Sequence, residues 1–191
     1  PEVEVLRFDF DTDMLQSLLA KRCDAIVMDN HIFLYHTQNL KGIKTLDTPL
    51  VIAEMGGCFG KGKQVELRQQ FNDFLKKIRA DGTYDDIFNR WMYHPDEAEM
   101  PEIHMPEDGE LIRVATNSTA PPLVFIRDGK LVGHDIEIAN RFAASIGRRI
   151  EWSDMNFSAL IPALVSGNQD MIISGVNITP EREESIDFSD P

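Results

Sequence analysis

The chain has 191 residues, 42% apolar and 27% charged, which is ordinary for a water-soluble folded protein and enough for one sizeable core or two small ones. Its 19 basic against 32 acidic residues, net −13, argue against nucleic acid and anionic membranes as partners. No apolar run approaches the roughly 20 residues a membrane-spanning helix needs, and two cysteines, Cys23 and Cys58, are too few for a disulfide scaffold or a cysteine-based zinc site.

From the N-terminus, Val3–Phe10 alternates apolar and polar and predicts a strand. Asp11-Thr12-Asp13 offers a cap for a helix carrying Met14, Leu15, Leu18 and Leu19 on one face. Ala25–Met28 predicts a short buried strand ending at Asp29-Asn30, followed by a helix at 31–38 and strands near 43–46 and 51–59. Leu67, Phe71, Phe74, Leu75 and Ile78 keep a helical period, and Asp81-Gly82 stops the helix. Thr83, with Asp86 three residues on, restarts a shorter helix holding Ile87, Trp91 and Met92.

Residues 94–110, HPDEAEMPEIHMPEDGE, hold seven acidic residues, no basic one and three prolines. They carry over half of the net charge and no helix or strand period, so they read as a solvated linker that buries no apolar area. A long acidic loop within one domain is the alternative. Beyond it, Leu111–Thr116 predicts a strand, Pro121-Pro122 a break, and Phe125–Val132 a hairpin turning at Asp128-Gly129. A helix over Asp135–Ser145, a strand over Arg149–Met155, a helix at 157–166 and a strand at 170–174 follow. Alternating strands and helices predict an α/β fold with a largely parallel sheet flanked by helices. One unit recurs: residues 14–27 align with 160–173 at a constant offset of 146, each a helix, a polar turn, an Asp and an apolar run.

Residues 111–191 resemble the opening lobe of the extracytoplasmic amino-acid-binding proteins of ABC importers, the two-lobed type II class, family 3. The motifs are IRVATNSTAPP, DGKLVGHDIEIANRFAASIG, MNFSALIPALVSGNQDMIISGVNIT and PEREESIDFSDP, in that order. Residues 1–93 resemble the closing part of the same family, through AKRCDAIVMDN in the second lobe and IRADGTYDDIFNRWM as the terminal helix. The order is inverted for one member, and the second lobe's first strands are absent. The expectation is therefore a window across tandem modules: 1–93 closing one, 94–110 linking, 111–191 opening the next. A circular permutant is the rival.

The resemblance implies a site as well as a fold. A free amino acid brings a carboxylate and an ammonium, and both need partners in a closed cleft. Arg182 has the planar fork for the carboxylate, helped by Gly175 and Asn177. Phe157 would form the apolar wall, Asn117 a polar contact, and Asp29 the acceptor for the ammonium. Asp29 would share a cleft with Arg182 only if the two segments dock. Ala120 and Leu123 stand where the family favours aromatic residues, which points to an atypical ligand or none.

Other motifs carry less. Gly57-Cys58-Phe59-Gly60-Lys61-Gly62-Lys63 imitates a phosphate loop, but Gln64 replaces the hydroxyl that would ligate magnesium. Histidines 31, 36, 94, 104 and 134 lack ligand spacing. Whether Cys23 pairs with Cys58 stays open. No cofactor, metal or catalytic group is expected. The expected role is binding of a polar amino acid for an ABC permease, outside the cytoplasm, with any export signal beyond these residues and pairing into a homodimer a further expectation. A ligand-sensing domain of a membrane signalling protein is the second reading.

Overall fold

The computed structural model describes residues 3–8, 10–37, 40–46 and 48–191. In chain order the elements are α1 (Asp11–Leu19), α2 (Asn30–Thr37), β1 (Cys58–Gly60), α3 (Val65–Ala80), α4 (Thr83–Tyr93), β2 (Leu111–Thr116), β3 (Thr119–Ala120), β4 (Val124–Arg127), β5 (Lys130–Val132), α5 (His134–Ser145), β6 (Arg149–Asp154), α6 (Phe157–Val165), β7 (Met171–Ile172), α7 (Pro180–Glu183) and β8 (Ile186–Phe188). The main sheet runs β6-β2-β7-β1-β8. β2 pairs in parallel with β6, from Leu111 against Arg149 to Thr116 against Asp154, and in parallel with β7. β1 enters antiparallel between β7 and β8, placing Cys58 opposite Ile172 and Phe188. Four of the five strands thus share one direction, the mixed α/β architecture that the alternating pattern predicts.

β1 also unites the two sides of the acidic segment in one sheet. Successive side chains of a strand face opposite ways. Phe59 joins the larger core with Phe71, Trp91, Ile112 and Phe142, while Cys58 joins Ala115, Leu160, Leu164 and Ile186 on the other face. In the larger core the Phe71 and Phe142 rings meet edge-on at 5.0 Å. Each such fully buried aromatic contributes roughly 1.5–3 kcal/mol, so α3 is held to α5 by packing more than by helix propensity.

Several expectations are corrected. Residues 3–8 form no strand, and Asp9 lies outside the described residues. Ala25–Met28 is irregular, with Val27 70% exposed, so the repeat at offset 146 ends with its helix. Residues 43–46 and 51–54 are likewise not strands; of the predicted 51–59 stretch only 58–60 is one, with an isolated bridge at Met55. The physical reason is common to all: alternation makes a strand only where a neighbouring backbone accepts its hydrogen bonds. Helix 31–38 forms as α2, and Gln38 is outside the described residues. Gly82, not Thr83, caps α4, with Asp81 Oδ1 accepting the Thr83 N–H at 3.0 Å. Residues 94–110 do bury apolar area: Ala98 is buried, Met100 and Met105 pack on the larger core, and Arg127 donates to the carbonyls of Pro95 and Ala98.

The predicted hairpin is β4–β5, turning at Asp128 and Gly129, both with positive φ (51° and 73°), the combination a two-residue turn demands. Cys23 and Cys58 are both free thiols, and burial pushes the Cys58 thiol far up. The phosphate-loop imitation is not a cradle, because Cys58 and Phe59 are strand residues sealed in the two cores.

Two carboxylates tie the sheet to its surroundings. Burial raises Asp170, but the Arg113 side chain at 2.6 Å and the Arg113 N–H outweigh it and hold the carboxyl below its usual value. Burial likewise raises Asp187 in β8, and the Gly62 N–H, Lys61 and Arg68 outweigh it. A depressed carboxyl stabilises the fold above its unfolded value and loses that contribution as pH falls through its folded value. Stability should therefore fall below about pH 4. Asp170→Asn should be less stable at neutral pH and flatten that acid limb; an unchanged slope in urea titrations from pH 5 to 2 contradicts the assignment.

Candidate functional site

Arg182 sits in α7, a single turn that Thr179 caps by accepting the Arg182 N–H, with Pro180 in the first position. The guanidinium folds back so that Nη1 donates to the Asn177 carbonyl at 2.8 Å. Its Cζ lies 5.5 Å from the centroid of the Phe157 ring. Phe157 begins α6 and is 39% exposed, so it is a platform for a cation and not a core aromatic. Among the described residues no carboxylate lies within ion-pair distance of Arg182, although Glu181 and Glu183 flank it in sequence. The fork is half-buried and keeps N–H groups free for an anion.

Asn177 connects this cation to the other segment. Its backbone bridges Met55, its Nδ2 makes a long 3.5 Å contact to Asp29 Oδ2, and its Oδ1 is buried without a partner among the described residues. Asp29 immediately precedes α2, where its carbonyl accepts the Phe33 N–H. Asp29, Asn177, Arg182 and Phe157 are thus brought together in one chain of contacts, with an acceptor carboxylate at one end and, at the other, a cation with no acidic partner among the described residues.

Gly175 and Asn117 are placed differently. Gly175 has φ +57°, and a Cβ there would meet Leu123 Cδ1 at 2.4 Å, so both backbone and space demand glycine. Its N–H is already taken by Asp135 Oδ2 at 2.8 Å. Asn117, 6% exposed at the end of β2, gives Nδ2 to the Met155 carbonyl and receives Thr119 N–H and Oγ1 on Oδ1. One amide hydrogen remains; the rest of the side chain shapes the loop. Leu123 packs against Gly175.

Two residues here escape a reading of the sequence. Asp135 reads only as a helix start, yet it is buried and holds both Gly175 and the His134 ring. Ser174 Oγ accepts the Asn117 N–H at 3.0 Å, joining two loops 57 residues apart. Neither pairing has a local signal. Among the described residues no cluster of metal-ligating side chains forms.

Comparison with known proteins bears on this geometry. Residues 112–191 match the bacterial extracellular solute-binding proteins, family 3. Over 80 residues the chain is 41% identical to a probable histidine-binding protein of Campylobacter jejuni, covering 42% of this chain and 31% of that protein. It is 39% identical over 77 residues to the arginine-binding extracellular protein ArtP of Bacillus subtilis, covering 40% and 30%. Among solved structures, an ancestral arginine-binding protein bound to arginine shares 45% identity, covering 46% of this chain and 38% of that one, with a TM-score of 0.42. The chain spans about a third of the length of the curated relatives it matches. The match to this family is confined to residues 112–191. The curated proteins it is similar to are named as binding proteins.

Proposed function

We propose that the chain binds a free amino acid with a basic side chain, outside the cytoplasm, and carries out no chemistry on it. The ligand carboxylate would pair with the Arg182 fork, its apolar stem would lie on Phe157, and Asn177 with Asp29 would take the ammonium. Asn117 would lend its remaining amide hydrogen, while the Gly175 N–H stays with Asp135. One observation carries the reading: a half-buried guanidinium on an exposed aromatic ring, with no carboxylate paired to it among the described residues. The similar proteins are named for binding histidine and arginine, which supports the basic class.

A ligand held in this way works by favouring the closed state that a partner reads, and for this family the partner is an ABC permease. Residues 1–93 and 111–191 would be the end of one module and the start of the next, docking through β1, α3 and α4 across residues 94–110. No helix among the described residues is long and apolar enough to cross a membrane.

The test is thermal unfolding against the twenty amino acids at millimolar concentration. Ligand at 100 times Kd adds roughly 2.7 kcal/mol, which raises Tm by about 5–11 °C at this size. Arginine, lysine or histidine should give that rise. A flat response to all twenty, or a rise with apolar amino acids alone, overturns the reading.

A further inference from the structure

A hollow of about 170 Å³ lies between α3, α4, α5 and the backbone at 55–57 and 189–191; Gly175 lines it, and neither Arg182 nor Phe157 does. Phe71, Leu75, Tyr84, Phe88, Ile138 and Ile173 make most of its wall. An apolar cavity of roughly 150 Å³ accepts benzene, so this hollow has the volume for a single aromatic ring. Edge-to-face packing against the surrounding rings adds to burial.

His134 is one of the polar groups in that wall, which also holds His31, Arg79, Asp135, Ser189 and Asp190. It is 7% exposed, and the Tyr84 and Phe88 rings stand edge-on to it at 5.7 and 6.0 Å. Its Nδ1 lies 2.8 Å from Asp135 Oδ1. A carboxylate only accepts, so the neutral ring carries its proton on Nδ1 and leaves a lone pair on Nε2. That nitrogen has no partner among the described residues, nor has Nε2 of His31, which lines the same hollow. Buried polar atoms without partners are rare, and each invites an explanation.

We propose that this hollow binds a single-ring aromatic molecule bearing one hydroxyl or ring N–H, the ring against Phe71, Tyr84 and Phe88 and the donor on His134 Nε2. Phenol and toluene are the probes, followed through the methyl resonances of Leu75, Ile138 and Ile173. By hydrophobic transfer alone toluene binds more tightly, so a preference for phenol reports the hydrogen bond. Phenol should shift those methyls with Kd on the order of 1 mM, at least tenfold more tightly than toluene, and leave Leu160 and Leu164 unmoved. In His134→Phe, which keeps the ring and removes the lone pair, the preference should vanish; should that variant not fold, the wild-type ratio decides. Arg182→Ala should leave the phenol titration unchanged, which separates this site from the amino-acid site. Unshifted cavity methyls, no preference for phenol in the wild-type chain, or loss of phenol binding in Arg182→Ala overturns the proposal.

Discussion

Glu137→Ala should cost about 3–5 kcal/mol of folding stability, the range for stripping one partner from a buried, hydrogen-bonded ion cluster. Glu137 is fully buried in α5. Its Oε1 accepts from Arg90 at 2.8 Å and from Arg141 at 2.9 Å, and its Oε2 accepts the Trp91 indole N–H at 2.8 Å. Truncation strands the indole donor in a fully buried site, removes the carboxylate that Arg141 pairs with, and leaves Arg90 with Asp86 alone among the described residues. Against a total stability of roughly 5–15 kcal/mol, that loss lowers Tm by about 6–20 °C. The effect is large for a reason tied to architecture: Arg90 and Trp91 lie before the acidic segment and Glu137 after it. A loss under about 1 kcal/mol in urea unfolding means that α4 does not dock on α5. A double-mutant cycle with Trp91→Phe isolates the indole bond, for which coupling of about 1.5–3 kcal/mol is expected from a hydrogen bond to a charged group.

The second large effect falls on binding. Arg182→Ala should weaken the amino acid by about 30- to 1,000-fold, the loss that follows when one partner of a desolvated charge pair is removed. Arg182→Lys keeps the charge and loses the planar fork, so a smaller loss of about tenfold is expected. Neither change should move Tm of the free chain by more than a degree or two, because Arg182 makes no ion pair among the described residues and packs on an exposed ring. Calorimetric titration checks both numbers. Equal affinity in all three chains would place the ligand carboxylate elsewhere.

What was legible in the sequence followed the range of the interactions. The amphipathic period of 67–78 with its terminal Gly82 predicts α3, and the run Leu111–Thr116 predicts β2, because each pattern lies within one element. The β4–β5 turn is equally local, written by Asp128-Gly129. β8, three residues long, has too little pattern to read and exists because β1 is beside it. The insertion of β1 between β7 and β8 joins residues more than a hundred positions apart, and no periodicity encodes that. Conversely, Ala25–Met28 has the composition of a strand and lacks the neighbour. At the site, the family resemblance marks Arg182 for a carboxylate and Phe157 for an apolar wall, and the stacking of one on the other follows only from the fold. The meeting of Asp29 with Asn177, and the claim of Asp135 on the Gly175 N–H, follow only from the fold.

The central claim is that Asp29, from one side of the acidic segment, and Arg182, from the other, serve one ligand. Calorimetric titration of arginine into the wild-type chain and into Asp29→Asn tests it most directly. Saturable binding by the wild type, weakened about tenfold or more by Asp29→Asn with Tm of the free chain unchanged, is the result expected when an ammonium loses its charged acceptor. Equal affinity in the two chains would contradict a shared site, and no heat from the wild type would contradict the site itself.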